Sequence, residues 1–143
     1  MKNIFVDTNV IIDFLANREP FSEYAAKLFQ LAQNKEVNIY ISAITINNTY
    51  YVLKQVSSHK KSLNLIDGIE SLVEIIPTDQ KIIQKAIKSD FKDFEDAIQY
   101  YSAKEVKSID VIATRNAKDF KTSDIPVLTP ETIVKLILHK KSQ

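Results

Sequence analysis

Asp7, Asp96 and Asp119 are the side chains whose type and setting suit divalent-metal chemistry in this 143-residue sequence. Asp7 stands in Ile4-Phe5-Val6-Asp7-Thr8-Asn9-Val10, Asp96 in Asp93-Phe94-Glu95-Asp96-Ala97, and Asp119 in Thr114-Arg115-Asn116-Ala117-Lys118-Asp119-Phe120. Carboxylates are hard oxygen donors, the kind that Mg²⁺ and Mn²⁺ take. Two of them about 4 Å apart repel by about 4 kcal/mol at an effective dielectric near 20, so a converging set needs compensation. Arg115 and nearby lysines offset part of that repulsion, and a bound cation offsets the rest. A cation held this way binds a scissile phosphate and lowers the pKa of water, which is the chemistry of phosphodiester hydrolysis. Each segment also has a plainer reading. Asp7 can cap a helix by accepting from the amides of Asn9 or Val10, and Asp93 can cap the helix in which Asp96 favours the dipole. The segment Thr114 to Phe120 can be a polar loop anchored by Phe120.

Other chemistries are excluded. There is no cysteine, which removes disulfides, thiolate catalysis and cysteine-held metals and suits a reducing compartment, so the cytoplasm is the expected location. The only histidines, His59 and His139, lie in lysine-rich segments and read as solvent-facing, so no Ser/His/Asp set is available. A haloacid-dehalogenase-type phosphotransferase needs a second aspartate where Asn9 stands. A receiver domain needs adjacent acids after its first strand and an aspartate after its third, and Pro77-Thr78-Asp79 fits poorly. The 19 basic and 18 acidic residues nearly balance, so any basic surface is local. No leader is expected at Met1-Lys2-Asn3, and no apolar run approaches the length of a membrane span.

The elements that position these residues follow from hydrophobic period. Ile4–Val6, Val37–Ile41, Val73–Pro77, Ile109–Ala113 and Val127–Leu128 read as short buried strands. Helical spacing recurs over Thr8–Leu15, Phe21–Gln33, Ile44–Val52, Leu63–Leu72, Asp79–Ile87 and Phe94–Val106. A last helix opens at Pro130, with Thr129 as its N-cap. One glycine, Gly68, and no linker-like stretch imply a single domain over residues 1–143. Alternating strands and helices imply an α/β architecture with a parallel sheet covered on both faces. Such sheets collect ligand sites at the carboxyl ends of their strands, where Asp7, Ser42 and Thr114-Arg115-Asn116 all fall. Tyr50, Tyr51 and Phe21 are apolar enough to serve an interface, with the core as the expected place for them.

Together with Ile41-Ser42-Ala43-Ile44-Thr45, the three acidic segments resemble the PIN-domain family, and in particular its small VapC-like toxins. The resemblance runs the length of the chain in the right order. It implies a three-layer fold with a central parallel sheet of four to five strands flanked by helices. It further implies a Mg²⁺- or Mn²⁺-dependent endoribonuclease, with Asp7, Asp96 and Asp119 as the acidic catalytic and metal-binding positions. Thr8, Asn9, Thr114 and Asn116 are then supporting polar positions, Asp93 and Asn48 are counted with them, and Arg115 and Lys118 are candidates for binding RNA. The implied partners are an RNA substrate, an antitoxin protein and a second copy in a homodimer, with no membrane. One position departs: Asn48 stands where many members carry glutamate. A side-chain amide can position a water but brings no charge. The alternative is a non-catalytic PIN-like module that binds RNA or protein.

Overall fold

Five short strands carry apolar residues whose two faces both need cover, and the chain supplies it by returning through helices after each of the first three and running on into a helix after the last. The computed structural model describes residues 1–143. In chain order it contains β1 (Asn3–Val6), α1 (Thr8–Leu15), α2 (Ser22–Gln33), β2 (Asn38–Ser42), α3 (Ala43–Val56), α4 (His59–Glu70) and β3 (Val73–Ile76). Then follow α5 (Gln80–Ile87), α6 (Phe94–Glu105), β4 (Val111–Ala113), a 3-10 turn over Ala117–Phe120, β5 (Val127–Leu128) and α7 (Pro130–Lys141). The sheet order is β3-β2-β1-β4-β5 and every pairing is parallel, with Phe5 level with Tyr40 on one side and Ile112 on the other. This is the expected α/β sheet of five strands.

Side chains on successive strand residues point to opposite faces. Ile4 and Val6 of β1 therefore join Ile39, Ile41, Val111 and Ala113 in the larger core under α1, α2 and α7. Phe5 and Ile112 face the other way and pack with Tyr100 and Ala103 of α6 and with Phe120. All of these strand residues are essentially inaccessible to solvent. Burying a side chain of that size contributes about 1.5–3 kcal/mol, enough for these few residues to fix the register of β1.

Helix boundaries follow local chemistry. Thr129 caps α7 by accepting from the Thr132 amide at 3.2 Å, with Pro130 in the first turn, as expected. Ser58 accepts from Lys61 N at 3.1 Å, so α4 begins at His59 and not at Leu63; the capping hydroxyl offsets the weak apolar period of the first turn. The segment before Phe120 is a 3-10 turn that buries the ring, as the anchored-loop reading required. Phe21 is 43% and Tyr51 60% exposed, which corrects their assignment to the core: Tyr51 lies on the outer face of α3, and Phe21 precedes α2 at the surface. No helix is long and apolar enough to cross a membrane.

Candidate functional site

The strand order reverses at β1, because β2 and β3 lie on one side of it and β4 and β5 on the other. Open parallel sheets form a crevice at such a point, beyond the carboxyl ends of the two diverging strands. Asp7 ends β1 at this crevice. Its N–H donates to Ala113 O at 2.9 Å, which continues the β1–β4 pairing by one residue. Asp7 occupies the N-cap of α1 in an extended conformation, and its backbone carbonyl accepts from Val10 N at 3.0 Å. Its carboxylate makes no capping bond, which corrects the plain reading of Asp7 as a cap. That carboxylate instead accepts from Thr114 Oγ1 at 2.7 Å.

Asp93 does cap its helix: Oδ1 accepts from Asp96 N at 3.0 Å and places Glu95 and Asp96 in the first turn of α6. Asp7, Asp93, Glu95, Asp96 and Asp119 then line one open depression of about 280 Å³, together with Thr8, Asn9, Ile12 and Arg18. Beside it is a groove of about 530 Å³ that shares Asp93, Asp96 and Asp119 and adds Lys92, Lys118 and Lys121. The acidic floor therefore continues, with Asp90, into a groove where three lysines stand among the carboxylates.

Burial pushes the Asp7 carboxyl above its ordinary range, against the favourable bond from Thr114, and the charge of Glu95 adds to the rise. Asp96 is pushed up to about 7, first by desolvation and then by the charges of Asp7, Asp93, Asp119 and Glu95. Such mutual repulsion is what a bound cation relieves. The donors are oxygens throughout, and Asn9 Oδ1 is buried without a hydrogen-bond partner while its Nδ2 approaches Thr114 Oγ1 at 3.5 Å. An unpartnered acceptor beside acidic side chains suits a cation or its water. No three acidic or histidine side chains close around a common point, so this is an open set of donors and not a preformed cage. The donor set fits Mg²⁺ or Mn²⁺, which bind through a few carboxylates and keep several waters.

The sequence candidates separate into groups. Asp7, Thr8, Asn9, Asp93, Asp96 and Asp119 come together, and Thr114 supports them from behind, fully buried. Asn116 offers its backbone N–H to Thr114 Oγ1 at 3.1 Å. Lys118 lines the basic groove. Arg115 is engaged elsewhere: its Nε donates to Asp13 Oδ2 at 2.8 Å and its guanidinium lies 4.3 Å from the Phe21 ring centroid. Asn48 is on α3, one turn beyond Thr45, and lines neither cavity. His59 and His139 are exposed and away from the acids, as read from the sequence. Arg18 and Glu95 line the depression, and Gln99 was missed altogether. Its signal was available, since Gln99 lies three residues beyond Asp96 and shares its helix face.

The PIN domain family profile matches residues 3–118. A curated relative, Ribonuclease VapC1 of Aquifex aeolicus (strain VF5), is 33% identical over 135 residues, covering 91% of this chain and 92% of that protein. Among solved structures, the toxin–antitoxin complex from Klebsiella pneumoniae aligns with a TM-score of 0.62 at 25% identity over 89% of this chain and 97% of that one. VapBC2 from Rickettsia felis, bound to a DNA fragment from its promoter, aligns with a TM-score of 0.65 at 18% identity over 89% and 98%. The profile covers most of the chain and the relative spans nearly all of it. This chain belongs to the PIN-domain family.

Proposed function

We propose that the chain is a metal-dependent endoribonuclease and the toxin of a toxin–antitoxin pair, acting in the cytoplasm. The observation that carries this reading is the gathering of Asp7, Asp96 and Asp119 at the switch point of the sheet, next to a lysine-lined groove. Its likeness to Ribonuclease VapC1 supports the same reaction. When bound, Mg²⁺ or Mn²⁺ neutralises the scissile phosphate and acidifies water for attack at phosphorus.

The chain's own residues do the rest. Asp7, fixed by Thr114, and Asp96, presented by the first turn of α6, would hold the cation, with Asp119 lining the same depression. Asn9 Oδ1, buried without a partner, would accept from a water of that cation. Lys92, Lys118 and Lys121 take the RNA backbone phosphates beside the scissile one, a contact that is independent of sequence. Arg115 positions α1 and does not touch the substrate. A partner antitoxin belongs to this reading, supported by the likeness to a solved toxin–antitoxin complex, and exposed Tyr51 is available for a homodimer contact.

One observation favours a second reading. Asn48 removes a carboxylate from the family's usual set, and the chain would then be a binding module that does not cut. Incubation of the purified protein with labelled structured RNAs in Mg²⁺, Mn²⁺ or EDTA separates the two. Metal-dependent cleavage that disappears in an Asp7→Asn/Asp96→Asn variant establishes the nuclease. RNA retention with no cleavage in either protein establishes the module.

A further inference from the structure

Gln99 is fully buried on α6 and belongs to no apolar cluster. Its Oε1 accepts from the backbone N–H of Thr8 at 2.9 Å and from Thr8 Oγ1 at 3.2 Å. The Thr8 N–H is the first of the amides that the start of α1 leaves without an intrahelical partner. A capping side chain takes the second or third amide of its helix, so the first needs a partner from elsewhere. Here a residue of another helix supplies that partner, next to an Asp7 whose carboxylate makes no capping bond and faces the depression.

The same two bonds fix the orientation of the amide. With Oε1 committed to two donors on Thr8, Nε2 must point the other way, and it is buried without a hydrogen-bond partner. Buried donors are rarely left so. Thr8 follows Asp7 directly in the chain, so this unpartnered N–H is buried beside the end of β1 that carries the Asp7 carboxylate. Thr45 extends the arrangement, with its hydroxyl 2.8 Å from Thr8 Oγ1. Because Thr8 has a single hydroxyl hydrogen and Gln99 Oε1 can only accept, the chain of donors runs from Thr45 to Thr8 to Gln99.

We propose that Gln99 is a positioning residue of the acidic site. Its carbonyl ties the start of α1, which carries Thr8 and Asn9, to α6, which carries Asp96, and its free N–H is the donor that Asp7 takes up when it holds a divalent cation. The proposal rests on the reading of Asp7 and Asp96 as cation ligands.

Calorimetric titration with Mn²⁺ tests it in the wild type, Gln99→Met and Asp7→Asn, with thermal unfolding in EDTA as the check on folding. Gln99→Met keeps the side-chain volume and removes both hydrogen-bonding atoms. The expected result is a Mn²⁺ affinity lower by about 10–100-fold in a folded Gln99→Met protein, the usual effect of losing an outer partner of a ligand. Should that variant fail to fold, the wild type decides. Saturation with Mg²⁺ is expected to move the Gln99 side-chain N–H signals in a ¹H–¹⁵N spectrum and slow their exchange with solvent. Unchanged affinity in Gln99→Met, or Gln99 signals that ignore Mg²⁺, overturns the role of Gln99 and leaves Asp7 as a ligand. A wild type that binds no Mn²⁺, or an Asp7→Asn variant that binds it equally well, overturns both.

Discussion

Thr114 donates its hydroxyl hydrogen to Asp7 Oδ2 at 2.7 Å, across the seam where β4 and β1 diverge and 107 residues apart in sequence. Thr114 Oγ1 also accepts from Asn116 N at 3.1 Å, so one buried hydroxyl ties the end of β1 to the loop that leads to Asp119. Thr114→Val keeps the shape and leaves both partners unsatisfied. A hydrogen bond to a charged group contributes about 1.5–3 kcal/mol, and a loss of that size is expected in urea unfolding at pH 8. Thr114→Ser is expected to recover most of it.

The acidic cluster sets a pH dependence of stability in EDTA. Asp96 titrates from 3.8 in the unfolded chain to about 7 in the fold, because burial and its neighbours disfavour the charged form. Between those values the folded state binds more protons than the unfolded state, so stability falls as pH rises from about 4 to 7 and then levels off. Asp96 is only half-buried, and solvent screening keeps the expected loss to on the order of 1–2 kcal/mol. Asp96→Asn is expected to flatten this slope and to raise the melting temperature at pH 8. Melting curves at several pH values, with and without Mg²⁺, measure both effects.

The Asp13–Arg115 pair carries structure. Asp13 is almost completely buried, and Arg115 meets it through Nε at 2.8 Å and a second nitrogen at 3.3 Å. Removing one partner of a buried pair leaves the other charge uncompensated, at about 3–5 kcal/mol. Arg115 is a third exposed, so the lower end, about 3 kcal/mol, is expected for Arg115→Ala in equilibrium unfolding. Arg115→Lys is expected to recover little, because an ammonium cannot reproduce the fork or lie flat on Phe21. Cleavage per folded molecule is expected to persist in both variants.

Lysines of the groove are expected to behave in the opposite way. Lys92→Ala and Lys121→Ala remove exposed charges with no ion-pair partner, so stability is expected to change by less than about 0.5 kcal/mol. RNA affinity is expected to fall, and the salt dependence of binding to become shallower by about one phosphate contact for each lysine removed. Filter binding to a catalytically inactive Asp96→Asn protein over a salt series measures this.

Much of this arrangement was legible in the sequence because the strands are short, apolar and bounded by residues that cannot continue them. Ile4-Phe5-Val6 followed by Asp7-Thr8-Asn9 announces both a buried strand and the polar end of a sheet. Capping chemistry placed Asp93 and Thr129 for the same local reason. Relationships between distant elements were not legible. Whether Asp7 spends its carboxylate on its own helix depends on Thr114, which reaches it only after the sheet has formed. Arg115 carries no mark of its engagement, since its partner Asp13 sits on α1 with the same composition as a solvent-facing acid. Tyr51 reads as core because it is large and apolar, yet the turn of α3 carries it outward while Thr49 and Leu53 face inward.

Crystals soaked in Mn²⁺ and recorded at a wavelength where manganese scatters anomalously test the site most directly. The expected result is an anomalous peak in the depression, within coordination distance of Asp7 and Asp96 carboxylate oxygens, that is lost in Asp96→Asn crystals. A peak confined to other surface carboxylates, or none at saturating Mn²⁺, would contradict a metal-dependent site built on these aspartates.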